Sequence, residues 1–343
     1  MPETSAKAHD LAFHSEAVVP TSTLLLDASN VRRLVTIKDV IEVVGQATKE
    51  RAAGSLVAAP RVALPGGTLL MAAESQQRGG VGAKLVSVAP GNRASGLSTI
   101  QGLASWLDYT TRLPLLVADA TAVTALRTGA LSGVATQALA PPGASVLAMV
   151  GTGGQALALV EACAAVRPVE QLLLASLHRA SAEQFRVKVE AILPELDVQI
   201  CESVSEAVKN AEIVCLATTS LTALVDDQDV RSDAHINAVG AYRPDMRELG
   251  VSVLAAAALV CSDDPPGALR EAGDLMEAVA CGAVDAASLM ELGALNGHYD
   301  LGKRSGLTIF KSVGTALADL ALLDLLWQRA AADGTIPSFQ FSA

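Results

Sequence analysis

The run Gly151-Thr-Gly-Gly-Gln-Ala156 follows directly on the apolar stretch Ser145-Val-Leu-Ala-Met-Val150, and together they read as a strand, a glycine turn and the start of a helix. A dinucleotide pyrophosphate requires that order. Glycines let the backbone approach the phosphates, and a new helix points unpaired N–H groups at them. Gly151, Gly153, Gly154, Gln155 and Ala156 complete the Gly-x-Gly-x-x-Ala form. An ordinary glycine turn shares the bare pattern, so context has to separate the two. The next apolar run, Gln171-Leu-Leu-Leu-Ala-Ser176, comes about 20 residues on, where the ribose-reading end of the second strand belongs. NAD-selective sites usually place Asp or Glu there. Here the position is Ser176, followed by His178 and Arg179 one turn on. A hydroxyl, an imidazole and a guanidinium suit a 2′-phosphate, and no carboxylate repels it. The expected cofactor is NADP(H) in preference to NAD(H), the alternative being a surface turn that merely opens a helix.

These residues need a scaffold, and the alternation of short apolar runs with helical stretches supplies one. From 145 onward, strands are expected at 145–150, 171–176, 197–201, 212–217, 235–240 and 257–262, with helices at 155–166, 180–193 and 203–210. That rhythm predicts an α/β fold with a Rossmann-type doubly wound sheet. Because the glycine turn sits in mid-chain, the dinucleotide-binding domain (129–307) is expected to be inserted into a second, α+β domain (1–128 plus 308–343) for substrate binding and dimerisation. In the first segment, strands are expected at 22–26, 61–64, 68–73, 83–88 and 113–119, with helices at 37–51 and 121–140; a last helix is expected near 313–332.

Composition narrows the functional classes. The chain has 343 residues, ample for two cores. Its net charge of −11, with no dense basic patch, argues against nucleic acid and anionic membrane as partners. Five widely spaced cysteines suggest neither a disulfide framework nor a metal site, and point to a reducing cytoplasm. Met1–Asp10 does not read as a signal peptide and is expected to be a short arm. Apolar runs such as Val251–Cys261 fall short of a bilayer crossing.

Several motifs in order carry a broader likeness: Gly82-Ala-Lys-Leu-Val-Ser87, Gly96-Leu-Ser-Thr-Ile100, Asp119-Ala-Thr-Ala-Val-Thr-Ala-Leu-Arg-Thr-Gly-Ala130, the glycine turn, Ile236-Asn-Ala-Val-Gly-Ala241 and Ile309-Phe-Lys-Ser-Val-Gly314. On them the chain resembles the ornithine cyclodeaminase and mu-crystallin family from about residue 22 to residue 330. The resemblance implies a homodimer, and a small amino or imino acid held against a nicotinamide with its carboxylate gripped by Arg61, Lys84 and Arg127. It also implies cofactor contacts at Thr99, Arg127, Thr218, Val239 and Ser312, with Val313 beside the substrate. For Lys84 and Arg127, each inside an apolar segment, a buried role competes with that of a solvated charge; Arg61 has only its spacing to Lys84 in its favour.

Three cations around one carboxylate leave excess positive charge beside the reacting carbon, and lysine is the side chain that sheds a proton most readily there. Lys84 is therefore expected to be the acid that protonates an imine nitrogen. The cyclodeaminase branch carries an aspartate just after the Val-Gly turn; this chain has Ala241-Tyr242-Arg-Pro-Asp-Met-Arg-Glu-Leu249, similar to the ketimine-reductase side. Tyr242 either donates to substrate or packs at the cleft mouth, and Asp245 is either a substitute base or a helix N-terminal acid. The expected activity is NAD(P)H-dependent reduction of a small cyclic 2-imino acid. The alternatives are ornithine cyclodeaminase, an alanine dehydrogenase-like oxidoreductase, or a non-catalytic ligand-binding protein.

Overall fold

Residues 22–295 and 306–340 are described by a computed structural model, and the N-terminal arm lies outside them. The chain opens with β1 (Thr23–Leu26), α1 (Ala28–Leu34), α2 (Ile37–Ala52), β2 (Val57–Ala58), β3 (Val62–Leu64), β4 (Thr68–Ser75), β5 (Gly80–Val88), β6 (Ile100–Asp108), β7 (Pro114–Asp119) and α3 (Ala120–Leu139). Then follow β8 (Val146–Val150), α4 (Ala156–Val166), β9 (Gln171–Ala175), α5 (Arg179–Ile192), β10 (Asp197–Ile200), α6 (Val204–Val208), β11 (Ile213–Leu216), β12 (His235–Ala238), α7 (Val251–Ala256), β13 (Leu259–Ser262), α8 (Pro265–Glu271), α9 (Gly273–Ala280), β14 (Met290–Glu291), β15 (Thr308–Lys311), α10 (Ala316–Ala331) and β16 (Ser338–Phe339).

Among the described residues these strands form two sheets. One is largely antiparallel, in the order β16-β1-β7-β6-β5-β4-β2 with β3 on β4. The other is parallel throughout, in the order β10-β9-β8-β11-β12-β15-β13-β14. The inner strands β8, β11 and β13 are buried on both faces, which is why they read as unbroken apolar runs, whereas the edge strand β10 alternates. All six strands expected in this region are present, as β8 to β13.

Five strands were not expected: the two-residue β2, β14 and β16, and the longer β6 and β15. β6 hides behind a glycine at its start, yet Ala104 and Trp106 alternate inward as a half-buried strand should. β15 pairs with both β12 and β13 in the parallel sheet. The expected boundary at 307/308 is therefore corrected, since the chain leaves that sheet only after Lys311.

α3 joins the two sheets. It starts on Asp119, whose carboxylate accepts from the Ala122 N–H at 2.7 Å, and it is apolar on nearly every side, as a helix enclosed by neighbours must be. A Cβ on Gly129 would stand 2.4 Å from the Ala158 carbonyl oxygen of α4, so glycine sets how closely those helices pack. α2 is fixed at its start by a capping box between Thr36 and Asp39. α10 returns to lie on β5. On β5, Gly82 clears the path, because a Cβ there would meet Leu320 at 2.9 Å. Lys84 is the next residue on the same face, opposite the first turn of α10.

Candidate active site

Lys84 and Arg127 converge on one carboxylate. Lys84 Nζ donates to Asp319 Oδ1 at 2.6 Å and Arg127 Nε donates to the same oxygen at 3.2 Å. All three side chains are buried. β5, α3 and α10 contribute one residue each, and the N-terminal turn of α10 favours the anion it carries. Two cations share that anion, and the buried Asp263 carboxylate also lies within reach of the Arg127 charge. Burial, then the Arg127 charge, pull the Lys84 ammonium from 10.5 down to about 8 even though Asp319 opposes the change. The second carboxylate oxygen, Asp319 Oδ2, is buried with no hydrogen-bond partner.

Arg61 reaches the neighbouring turn between β15 and α10. Its Nη1 donates to the Val313 carbonyl at 2.8 Å and its Nη2 to that of Gly314 at 2.6 Å. Glu271 at 2.9 Å and Asp264 at 3.6 Å answer its charge. Arg61 still adds to the field that lowers the Lys84 ammonium, after burial and Arg127. On the other side of the same turn, Asp263 accepts from Ser312 Oγ at 2.9 Å, from the Gly314 N–H at 3.0 Å and from the Val313 N–H at 3.3 Å. Burial holds its carboxyl above the usual range against the pull of Ser312, Arg127 and Arg61.

The C-terminal ends of β8, β11, β12 and β15 lie side by side. They carry Gly151, Thr218, Val239 and Ser312 in turn, over about 14 Å at the usual strand spacing. The sheet's connections reverse between β8 and β11, where a doubly wound fold opens its ligand crevice. Gly151 has φ +97°, and a Cβ there would strike the Ala217 carbonyl at 2.6 Å. Gly153 and Gly154 have no protein atom within 4 Å of a Cβ position, so nothing inside the protein demands glycine at them. An approaching phosphate would. α4 has no side-chain cap, and Gln155 Oε1 is buried without a partner. These features fit a dinucleotide whose pyrophosphate lies on Gly151–Ala156.

At the end of β9, Ser176 shares a hydrogen bond of 3.2 Å with Thr152. His178 and Arg179 are exposed, and Arg179 is engaged by Glu202 at 2.6 Å. Thr99 stands at the head of β6, its carbonyl accepting from Ala89. Tyr242 is half-buried, and burial raises its phenol above the ordinary value. Asp245 is exposed and paired with Arg243 at 2.8 Å in a turn, not at a helix start. Arg243 holds its carboxyl below the usual range. It is thus neither a helix N-terminal acid nor a group tuned as a base.

Three buried carboxylates of the site were not singled out from sequence: Asp319, Asp263 and Glu248. The last accepts from the loops after β11 and β12. Asp319 carried the signal that marked Lys84 and Arg127, a lone charge in an apolar segment, Ala316-Leu-Ala-Asp-Leu-Ala321. Among the described residues no group of three or more His, Cys, Asp or Glu side chains is placed to hold a metal, and no helix is long and apolar enough to cross a membrane.

The ornithine cyclodeaminase/mu-crystallin family matches residues 21–334. The Δ1-pyrroline-2-carboxylate reductase of Bacillus cereus is 32% identical over 326 residues, spanning 93% of this chain and 100% of that protein. Among solved structures, the Thermococcus litoralis Δ1-pyrroline-2-carboxylate reductase in complex with NADH and L-proline is similar with a TM-score of 0.86 at 29% identity, over 92% of this chain and 99% of that one. An archaeal alanine dehydrogenase dimer with bound NAD has a TM-score of 0.85 at 28% identity, over 94% and 100%.

Proposed function

This chain belongs to the ornithine cyclodeaminase/mu-crystallin family, and from that premise we propose that it reduces a small cyclic 2-imino acid, Δ1-pyrroline-2-carboxylate or Δ1-piperideine-2-carboxylate, to L-proline or L-pipecolate with NAD(P)H. The carrying observation is the buried Lys84–Asp319–Arg127 cluster, with its depressed lysine, against the turn at the end of β15. A carboxylate leaving water must be paired and hydrogen-bonded, and a guanidinium does so in two parallel bonds.

The reduced nicotinamide, when bound, supplies hydride to the imine carbon. The chain does the rest. Arg127 holds the substrate carboxylate, Arg61 joins it by exchanging Glu271 for the substrate, and Val313 packs beside the ring. Lys84, kept in a range where it parts with a proton near neutrality, delivers that proton to the imine nitrogen. Thr218, Val239 and Ser312 line the nicotinamide half of the crevice, and Gly151–Ala156 cradle the pyrophosphate. The first sheet with α10 forms the substrate side, and the parallel sheet the cofactor side. Ser176, His178 and Arg179 receive a 2′-phosphate, with Arg179 exchanging Glu202 for it, so NADP(H) is the favoured cofactor. The five free thiols suit a reducing cytoplasm.

Deamination of ornithine needs a base to take protons from an ammonium. The exposed acid of the Tyr242–Leu249 segment, Asp245, is committed to Arg243. The test incubates the protein with NADPH or NADH and each imino acid, beside ornithine with ammonia detection. The expected result is oxidation of the reduced cofactor, faster with NADPH, and no ammonia. Ammonia release from ornithine without imine reduction would overturn this reading.

The working form is a homodimer. On the face of the first sheet away from α10, the exposed Val62, Leu70, Leu85 and Leu103 stand in register across β3, β4, β5 and β6. A continuous exposed apolar row of this kind marks an interface. The double variant L85D/L103D is expected to elute as a monomer in light-scattering chromatography where the wild type elutes as a dimer. A monomeric wild type would remove the basis for this assignment.

A further inference from the structure

Glu248 is buried, yet its carboxylate is neither solvated nor matched to a cation by a salt bridge among the described residues. It is instead surrounded by donors from two loops. Oε1 accepts from the Thr218 N–H at 2.7 Å and the Thr218 hydroxyl at 3.0 Å. Oε2 accepts from the Gly240 N–H at 2.7 Å and the Ala241 N–H at 3.2 Å. Thr218 follows β11, and Gly240 and Ala241 follow β12. These are the adjoining strand ends that carry Thr218 and Val239 into the nicotinamide half of the crevice.

The contact is too close for any residue but glycine at 240, since a Cβ would stand 2.3 Å from Glu248 Oε1 and 2.2 Å from the Thr218 carbonyl. The backbone behind the carboxylate is also tied down. The Glu248 and Leu249 N–H groups donate to Asp274 Oδ2 at 3.3 and 3.4 Å, and Lys311 Nζ donates to the same oxygen at 2.9 Å. Lys311 is the last residue of β15, next to Ser312. Three strand ends of the crevice are thus referred to one buried acid and its support.

We propose that Glu248 is a positioning residue for the dinucleotide: by accepting from both loops at once it fixes the spacing of Thr218 and Val239, and so the shape of the floor on which the nicotinamide half rests. It touches no reacting atom. This rests on the proposed dinucleotide-dependent activity. Burial raises the Glu248 carboxyl, while Lys311 and the backbone donors of Thr218 and Gly240 hold it down.

The test compares wild type, E248Q and E248D as full-length protein, measuring the dissociation constant for NADPH and NADH by fluorescence and kcat at saturating dinucleotide. A glutamine turns an amide N–H₂ toward one loop's donors, and an aspartate is too short to serve both. Each folded variant is expected to bind the dinucleotide about tenfold more weakly, with kcat at saturation kept within about threefold. Unchanged affinity in either folded variant, or a fall in kcat with affinity intact, overturns the proposal. So does failure of both variants to unfold cooperatively, which would make Glu248 purely architectural. A wild type that binds neither dinucleotide would instead refute the parent reading.

Discussion

Lys84→Ala is expected to lower kcat by about a thousandfold while leaving dinucleotide affinity within about threefold, because general acid catalysis contributes on that order and Lys84 does not form the pyrophosphate cradle. The sign of the pH dependence follows from its charge. The lysine works in its protonated form, and its ammonium has been drawn from 10.5 to about 8, so wild-type kcat should hold steady at neutral pH and fall as pH rises through about 8. Asp319 is the influence that keeps Lys84 protonated; Asp319→Asn should therefore move that alkaline limb to lower pH. Steady-state rates with the imino acid at saturating cofactor give both readouts. A Lys84→Ala enzyme with near-normal turnover would remove the lysine from the chemistry.

Arg127→Met should act on binding first. The guanidinium is buried and directed at the same cluster, and the loss of two charge-assisted hydrogen bonds to a carboxylate, about 1.5 kcal/mol each, raises the imino acid KM by roughly a hundredfold. The same substitution removes a cation that depresses the Lys84 ammonium. The alkaline limb should consequently shift upward, opposite to Asp319→Asn. Opposed shifts from two neighbours of one lysine are hard to produce by general loosening of the fold. An unchanged KM would mean that Arg127 serves packing alone.

Local pattern made part of this molecule legible. The glycine turn announces itself because a strand, three glycines and a helix start are contiguous, and the inner strands β8, β11 and β13 announce themselves because burial on both faces leaves unbroken apolar runs. Lys84 and Arg127 stand out against apolar neighbours. What stayed hidden is pairing at a distance. Asp319 lies 235 residues from Lys84 and 192 from Arg127, and no spacing rule spans such an interval. Glu248 sits among charged residues in Arg243–Glu248, where any one of them reads as a solvated face; only the fold reveals that Arg243 and Asp245 neutralise each other outside while Glu248 turns inward. β15 is four residues long, too short for periodicity to assign it to one sheet or the other.

The shared carboxylate on α10 carries a consequence for biosynthesis. During translation both cations emerge long before their counter-ion does, and enclosing an unpaired charge costs on the order of 3–5 kcal/mol. Premature collapse of the N-terminal half is thereby penalised. The same ion cluster that prepares the chemistry therefore also disfavours sealing the core before α10 docks.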